Sequence, residues 1–168
     1  MRKCSVLPPQ SELLDLFSYD PESGSLRWKV SRSQRRAGDV AGSLKKEGYW
    51  TVGIHEKVYK AHRVIWKMVT GADPVEQIDH IDLNRSNNRW SNLREATGCQ
   101  NMQNRRLHSN STSGVKGVSY NKQESKWDAY IMANKKFLLL GRFTSQEQAA
   151  NIVASARSEL HGEFARLA

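Results

Sequence analysis

Cysteine is nearly missing from this 168-residue chain, with Cys4 and Cys99 the two present. Neither belongs to a Cys-x-x-Cys pair, so no disulfide framework and no cysteine-rich structural zinc site can be written. Long apolar runs are missing too. The purely aliphatic-aromatic stretch near Phe137-Leu138-Leu139-Leu140 falls far short of a bilayer span. Met1-Arg2-Lys3 imitates the basic start of a signal peptide, but CSVLPPQS follows without an apolar stretch. An intracellular protein is expected, in the cytoplasm of a host cell and not secreted. Hydrophobic residues make up 38%, which argues against one large core. Acid is in deficit: 17 Asp+Glu face 26 Lys+Arg, for a formal net charge of +9. In a chain this small, that excess asks for a polyanionic partner, nucleic acid first. A membrane surface is the weaker alternative, because no basic amphipathic helix with a broad apolar face is present.

What is there divides into two patterns. Residues 11–17 (SELLDLF) predict a short helix capped by Ser11. Asp20-Pro21-Glu22-Ser23-Gly24 is a turn, and 25–30 (SLRWKV) a strand. Residues 31–48 are polar, basic and glycine-containing, so they predict loop with at most one short strand. YWTVGI and KVYKA predict a hairpin across His55-Glu56, followed by a helix from AHRVIWKMVT that Gly71 stops. Next comes a segment unlike a core. Asp79, Asp82, Asn84, Asn87, Asn88 and Asn92 fall within 79–92, a density of short polar side chains that predicts a loop held by side-chain-to-backbone hydrogen bonds. A strand (Gln77–His80) enters it, a second (Leu93–Ala96) leaves it, and a helix runs from about Gly98 to Arg106. HSNSTSG, 108–114, has linker composition and sets the expected domain boundary, with residues 1–107 before it and 115–168 after it. The tail predicts three strands and a helix opened by a Thr144-Ser145-Gln146-Glu147 capping box. The fold class expected is α+β: a small N-terminal sheet leading into a strand–loop–strand–helix unit, then a three-stranded antiparallel sheet with one helix.

The chemistry gathers in the middle. Asn92 lies twelve residues beyond His80, and Asn101 nine beyond that. A strand–loop–strand–helix hairpin of this size would fold Asn101 back beside Asp79-His80. A carboxylate and an amide oxygen are hard ligands that suit Mg²⁺ or Mn²⁺ better than zinc. An imidazole beside such an ion can deprotonate a water for attack on a phosphodiester. The anion for a chain of this charge would be DNA.

Asp79-His80, Asn92-Leu93 and Asn101 resemble the HNH, or ββα-metal, endonuclease motif in its H-N-N form. AHRVIWKMVTG followed by QIDHIDLNRSNNRWSNLREAT is similar to the subgroup found in phage and intron-borne (homing) endonucleases, and FSYDPESGSLRW, GDVAGS and GYWTVGI are similar to the leader before it. The resemblance spans roughly residues 10–106. It implies a double-stranded DNA endonuclease, homing-type or nicking, that leaves 5′-phosphate and 3′-hydroxyl ends. By position, His80 would be the general base, Asp79 and Asn101 the metal ligands, and Asn92 the residue that holds the loop and orients the histidine backbone. Many relatives carry His at the position of Asn101, and many bind structural zinc through Cys-x-x-Cys pairs. One catalytic Mg²⁺ or Mn²⁺ and no zinc are therefore expected here. Adjacent strand residues point to opposite faces, so the strand has to end or twist at Asp79-His80 for both to serve one site. Cutting both strands would call for a homodimer or two sequential events. A non-catalytic DNA-binding regulator on the same scaffold is the alternative.

Residues 113–162 resemble the APETALA-type DNA-binding domain of plant ethylene-response factors, through Gly117-Val118, Lys126-Trp127, Ala129 to Ile131, Leu140-Gly141, Phe143, Glu147, Ala149-Ala150 and Gly162. That resemblance implies a three-stranded sheet laid in the major groove with a helix behind it. Where the plant domains present arginines, this chain has Lys116, Ser119, Asn121 and Met132, so guanine readout through Arg is largely absent. Lys116, Lys122, Lys126, Lys135 and Lys136 remain as phosphate contacts. Arg105 and Arg106 suit either the helix dipole or phosphate. Arg35 and Arg36, in the basic 31–48 stretch, suit either a solvated loop or DNA tracking. His62 is expected to pack, His55 to sit in a hairpin turn and His161 to favour a helix C-terminus. Trp66, Trp90 and Trp127 are expected as core anchors, and both cysteines as inert thiols.

Overall fold

The computed structural model describes residues 6–31, 35–104, 107, 111–133 and 136–165. Its class is α+β, with four helices and small antiparallel sheets among the described residues. Packing divides the chain into Met1–Ala96 and Thr97–Ala168. The composition of 108–114 set the boundary later than this. Two contacts explain the difference: the helix at Gly98–Asn104 packs on a 3-10 turn at Gly162–Phe164, and Lys116 Nζ donates to the carbonyl of Gln103 at 2.8 Å. Nor is 111–114 a bare linker. Ser113 is buried, donates to Val118 O at 2.6 Å, and its carbonyl accepts from Gln146 at 2.7 Å.

The first unit opens with α1 (Gln10–Leu16) and a hairpin of β1 (Phe17–Asp20) and β2 (Ser25–Trp28). Pro9, not Ser11, stands at the N-cap of α1, and Phe17 leaves the helix to begin β1. A second sheet joins β3 (Ser43–Leu44), β4 (Trp50–Ile54) and β5 (Lys57–Lys60). The β4–β5 turn takes positive φ at both His55 and Glu56, the type I′ geometry that matches strand twist. β5 runs directly into α2 (Ala61–Thr70), which Gly71 ends in the left-handed conformation. α2 buries Ala61, Val64, Ile65 and Met68 against Leu13, Phe17, Trp28 and Val52, and this cluster extends to Ile78 and Leu93. Those last two belong to β6 (Gln77–His80) and β7 (Leu93–Ala96), an antiparallel pair with Asp79 opposite Arg94 and His80 opposite Leu93.

In the second unit, α3 (Gly98–Asn104) precedes a meander of β8 (Val118–Asn121), β9 (Lys126–Ala133) and β10 (Lys136–Phe143), order β10-β9-β8. α4 (Gln146–His161) covers one face, burying Ala149 and Val153 against Val118 and Ala129. The cap of α4 differs from the capping box expected. Ser145 is the N-cap, and its Oγ accepts from Glu147 N at 3.2 Å. On the other face of the sheet Met132, Phe137 and Leu139 are exposed.

Candidate active site

The loop between β6 and β7 is tied by its own side chains. Asn92, buried at the end of a 3-10 turn, accepts from Asp82 N at 3.0 Å through Oδ1. Its Nδ2 donates to Asp82 Oδ1 at 2.9 Å and to Asn87 O at 2.8 Å. Asp82 also accepts from Asn87 Nδ2 at 2.7 Å and from Asn84 N at 2.8 Å. Burial pushes the Asp82 carboxyl up, but the hydrogen bonds from Asn87, Asn84 and Asn92 outweigh it, and the net displacement is below the ordinary value. Ile81 N donates to Asn92 O at 3.0 Å, closing the ladder just past His80.

His80 ends β6 with 4% of its surface exposed. Its Nε2 lies 3.1 Å from Asn88 Oδ1. With an amide oxygen as acceptor, Nε2 carries the hydrogen and the lone pair falls on Nδ1. Asn88 is itself buried, because the β1–β2 hairpin backs it. Tyr19 OH donates to Asn88 O at 2.8 Å, and Trp90 N to Pro21 O at 3.1 Å. Burial, with Asp20 and Glu22 nearby, pushes the Tyr19 phenol up to about 12, so it stays a donor. A Cβ on Gly24 would stand 2.5 Å from Arg89 N. Only glycine lets this turn lie flat against the segment that holds His80.

Two aromatic rings complete the setting. The His62 ring meets that of His80 edge-on at 5.0 Å, and the Tyr49 ring lies 5.4 Å from His62 and 6.0 Å from His80. Burial lowers the His80 pKa from its ordinary value, against the raising effects of Asn88, Asp82 and Asp79. His62 goes well below its ordinary value, through burial first and then the charges of His80, Lys60 and Arg63. Both displacements favour the neutral imidazole, the state a proton acceptor needs.

Asp79 goes to a different neighbour, as strand alternation requires. It is 5% exposed, and its Oδ2 accepts from Arg94 Nε at 3.1 Å and Nη2 at 3.0 Å across the β6–β7 pair. A buried carboxylate is costly unless compensated, and Arg94 supplies that compensation. Asn101 stands on α3 in the second unit, where its N–H donates to Thr97 O at 2.9 Å. No group of three or more His, Cys, Asp or Glu side chains that could hold a metal exists among the described residues. A carboxylate such as that of Asp79 and an amide oxygen such as that of Asn101 are each hard donors, of the kind Mg²⁺ or Mn²⁺ takes.

The described basic residues expected at DNA have different neighbours. Arg35 stacks on Trp28, its Cζ 4.7 Å from the ring centroid, and Arg36 N donates to Asp39 at 2.8 Å. Lys116 holds the carbonyls of Met102 and Gln103 on α3. Lys122, Lys126 and Lys136 are exposed on the β8–β9 turn and on strands β9 and β10. Arg105, Arg106 and Lys135 lie outside the described residues. Arg142, the guanidinium on β10, pairs with Glu124 and, at 3.3 Å, with Asp128.

Asn88, Arg94 and Tyr49 escape a reading of spacing alone, and His62 passes as packing. Alternation could have found Arg94, since β6–β7 pairing sets it opposite Asp79. Nothing local marks Asn88 from its neighbouring asparagines.

Among the described residues, no helix is long and apolar enough to cross a membrane. The sequence model of the HNH endonuclease family matches residues 59–103, from the end of β5 into α3. Protein 3.8 of Escherichia phage T7 is 34% identical over 118 residues, covering 67% of this chain and 95% of that protein. An uncharacterized HNH endonuclease of Acanthamoeba polyphaga mimivirus is 36% identical over 124 residues, covering 73% of this chain and 63% of its own length. A solved structure, of DNA binding and cleavage by the HNH homing endonuclease I-HmuI, overlaps 86% of this chain and 84% of that one, at 18% identity and a TM-score of 0.40. With the family's motif lying on the β6–β7 hairpin and its flanking helices, and with relatives matched well beyond that motif, the chain belongs to the HNH endonuclease family.

Proposed function

We propose that this protein is a DNA endonuclease, homing-type or nicking, in which His80 is the general base of phosphodiester hydrolysis. The observation that carries this is a buried imidazole whose Nε2 lies 3.1 Å from Asn88 Oδ1, the geometry in which Nε2 carries the hydrogen and Nδ1 the lone pair. His80 takes a proton from water as the water oxygen bonds to phosphorus. The P–O3′ bond breaks, and the leaving oxygen gains a proton from solvent, giving 5′-phosphate and 3′-hydroxyl ends. Asp79 and Asn101 would hold one Mg²⁺ or Mn²⁺. When bound, such an ion would neutralise charge on the phosphate and on the leaving oxygen. Asn92 serves by fixing the loop through Asp82 and Asn87, so that the backbone after His80 keeps its path. The second unit adds binding: Lys122, Lys126, Lys135 and Lys136 would meet phosphates from an APETALA-type sheet, as Arg35, Arg36, Arg105 and Arg106 would elsewhere. Sequence choice by this sheet would be weak, since Arg142 is engaged by Glu124 and Asp128.

The deciding experiment incubates supercoiled plasmid with the protein and Mg²⁺ and separates nicked from linear product. His80→Ala should lower the cleavage rate by roughly 10²–10⁴-fold and leave band shifts in EDTA nearly unchanged. Wild-type cleavage by that variant would remove His80 as the base. Binding with no cleavage by the native chain would instead mark a non-catalytic regulator.

A further inference from the structure

His62 is the second residue of α2, and its ring turns to the catalytic histidine. It meets the His80 ring with 5.0 Å between centroids and 84° between planes, and the Tyr49 ring at 5.4 Å. At the first separation the two small rings touch. An uncharged imidazole carries one nitrogen that donates and one that accepts. His62 is 4% exposed, yet neither of its ring nitrogens bonds to another described residue. Nor do these nitrogens belong to the fully buried polar atoms that lack a hydrogen bond, so they reach solvent through what little of the residue is exposed. Polar side chains this buried are paired almost without exception, and an unpaired one calls for a reason. Packing supplies none, because an apolar ring would fill the same space and leave no donor unmatched. A ligand that brings an acceptor oxygen does supply one. Burial, and then the nearby His80, Lys60 and Arg63, favour the form of His62 that offers one N–H and no charge.

We propose that His62 is a second catalytic imidazole, whose ring N–H donates to a non-bridging oxygen of the phosphodiester at which His80 deprotonates water. This rests on the endonuclease assignment for the identity of the acceptor. The two rings divide the work. His80 takes a proton from water, and His62 faces the negative charge that grows on the phosphoryl oxygens as the water oxygen bonds to phosphorus. No proton leaves His62. A donor fixed against Tyr49 and His80 before DNA arrives needs no reorganisation as that charge develops.

The test uses the full chain in two measurements. In the first, a duplex is cut under single-turnover conditions with Mg²⁺ and saturating protein. His62→Phe keeps a flat ring against Tyr49 and His80 but has no N–H. It should cut about 10²-fold more slowly, with duplex affinity in EDTA close to native. His62→Asn and His62→Gln set an amide N–H near the places of Nδ1 and Nε2, and one of the two should recover about tenfold of that loss. In the second measurement, NMR follows the ring nitrogens of isotope-labelled native protein as duplex is added in EDTA. The His62 N–H signal, identified through its contacts with the Tyr49 ring, should move downfield and exchange more slowly with water once DNA is bound. Native-rate cleavage by His62→Phe overturns the donor, as does a loss that neither amide recovers. A His62 signal that saturating duplex leaves unmoved overturns it without recourse to any variant. The two assignments separate cleanly. If the native protein never cuts but duplex moves the His62 signal as stated, the endonuclease assignment fails and the donor to phosphate stands. If it cuts, and neither the signal nor the His62→Phe rate changes, the reverse holds.

Discussion

In the proposed reaction the chemistry would turn on His80 and its partner Asn88, and the amide side of that pair is easily overlooked. Burial against Tyr49 and His62 restrains the His80 ring in rotation, and an acceptor at Nε2 selects its tautomer. Asn88→Ala should therefore lower the single-turnover rate about tenfold with little change in DNA affinity, the effect of a positioning residue that never touches phosphate. Nitrogen-detected NMR of the His80 ring should show the Nε2–H form in the native protein and a mixture in the variant. An unchanged tautomer together with an unchanged rate would reduce Asn88 to a loop residue. Asp79 poses the opposite problem. Its charge is compensated by Arg94 across the hairpin, so a divalent ion would have to share Oδ2 with a guanidinium or use the other oxygen.

At the scale of elements, the β1–β2 hairpin earns its place by what lies behind it. Its turn sits against the backbone of Asn88 and Arg89, with Tyr19 and Pro21 bonded to the same stretch. Gly24 has φ of 74°, a conformation that costs a residue with a Cβ about 1–2 kcal/mol before any clash is counted. Gly24→Ala adds that clash, since the backbone it meets cannot swing aside as a side chain would. The variant should lose Tm by about 2–4 °C for each kcal/mol and should lose cleavage beyond what the stability loss explains. Rates measured well below the lowered Tm make the comparison. Full activity there would mean the hairpin supports only the core.

For the whole molecule, the division at Ala96 and Thr97 changes what a truncation should do. A chain ending near Ser109 retains every residue from Asp79 to Asn101. It loses Lys116, which holds the carbonyl of Gln103, and the 3-10 turn on which α3 packs. A seven-residue helix has almost no stability of its own. The truncated protein should thus keep the core around Leu13, Phe17 and Ile65 while α3 frays, and activation by Mg²⁺ or Mn²⁺ should weaken because Asn101 is no longer held. Hydrogen exchange on 98–104 and metal titration of cleavage check this. A protected α3 in the short chain would show that the first unit alone supports it.

Local signals carried most of the element order. Alternation located β4, β5 and β6, Gly71 marked the end of α2, and the asparagine run marked a side-chain-tied loop, because these depend on periodicity, on positive φ and on short-range hydrogen bonds. The cap of α1, the strand at Phe17–Asp20 and the integration of Ser113 were not legible, since each is decided by a distant partner that buries it or bonds to it. The same line runs through the site. His80, Asp79, Asn92 and Asn101 are visible as a spaced motif, as is the excess of positive charge. That Asn88 holds His80, that Arg94 balances Asp79, and that His62 and Tyr49 meet the His80 ring came only with tertiary structure. A residue's type and spacing determine what chemistry it can perform. Which groups it faces depends on chain segments brought together by burial, and one-dimensional order does not record that.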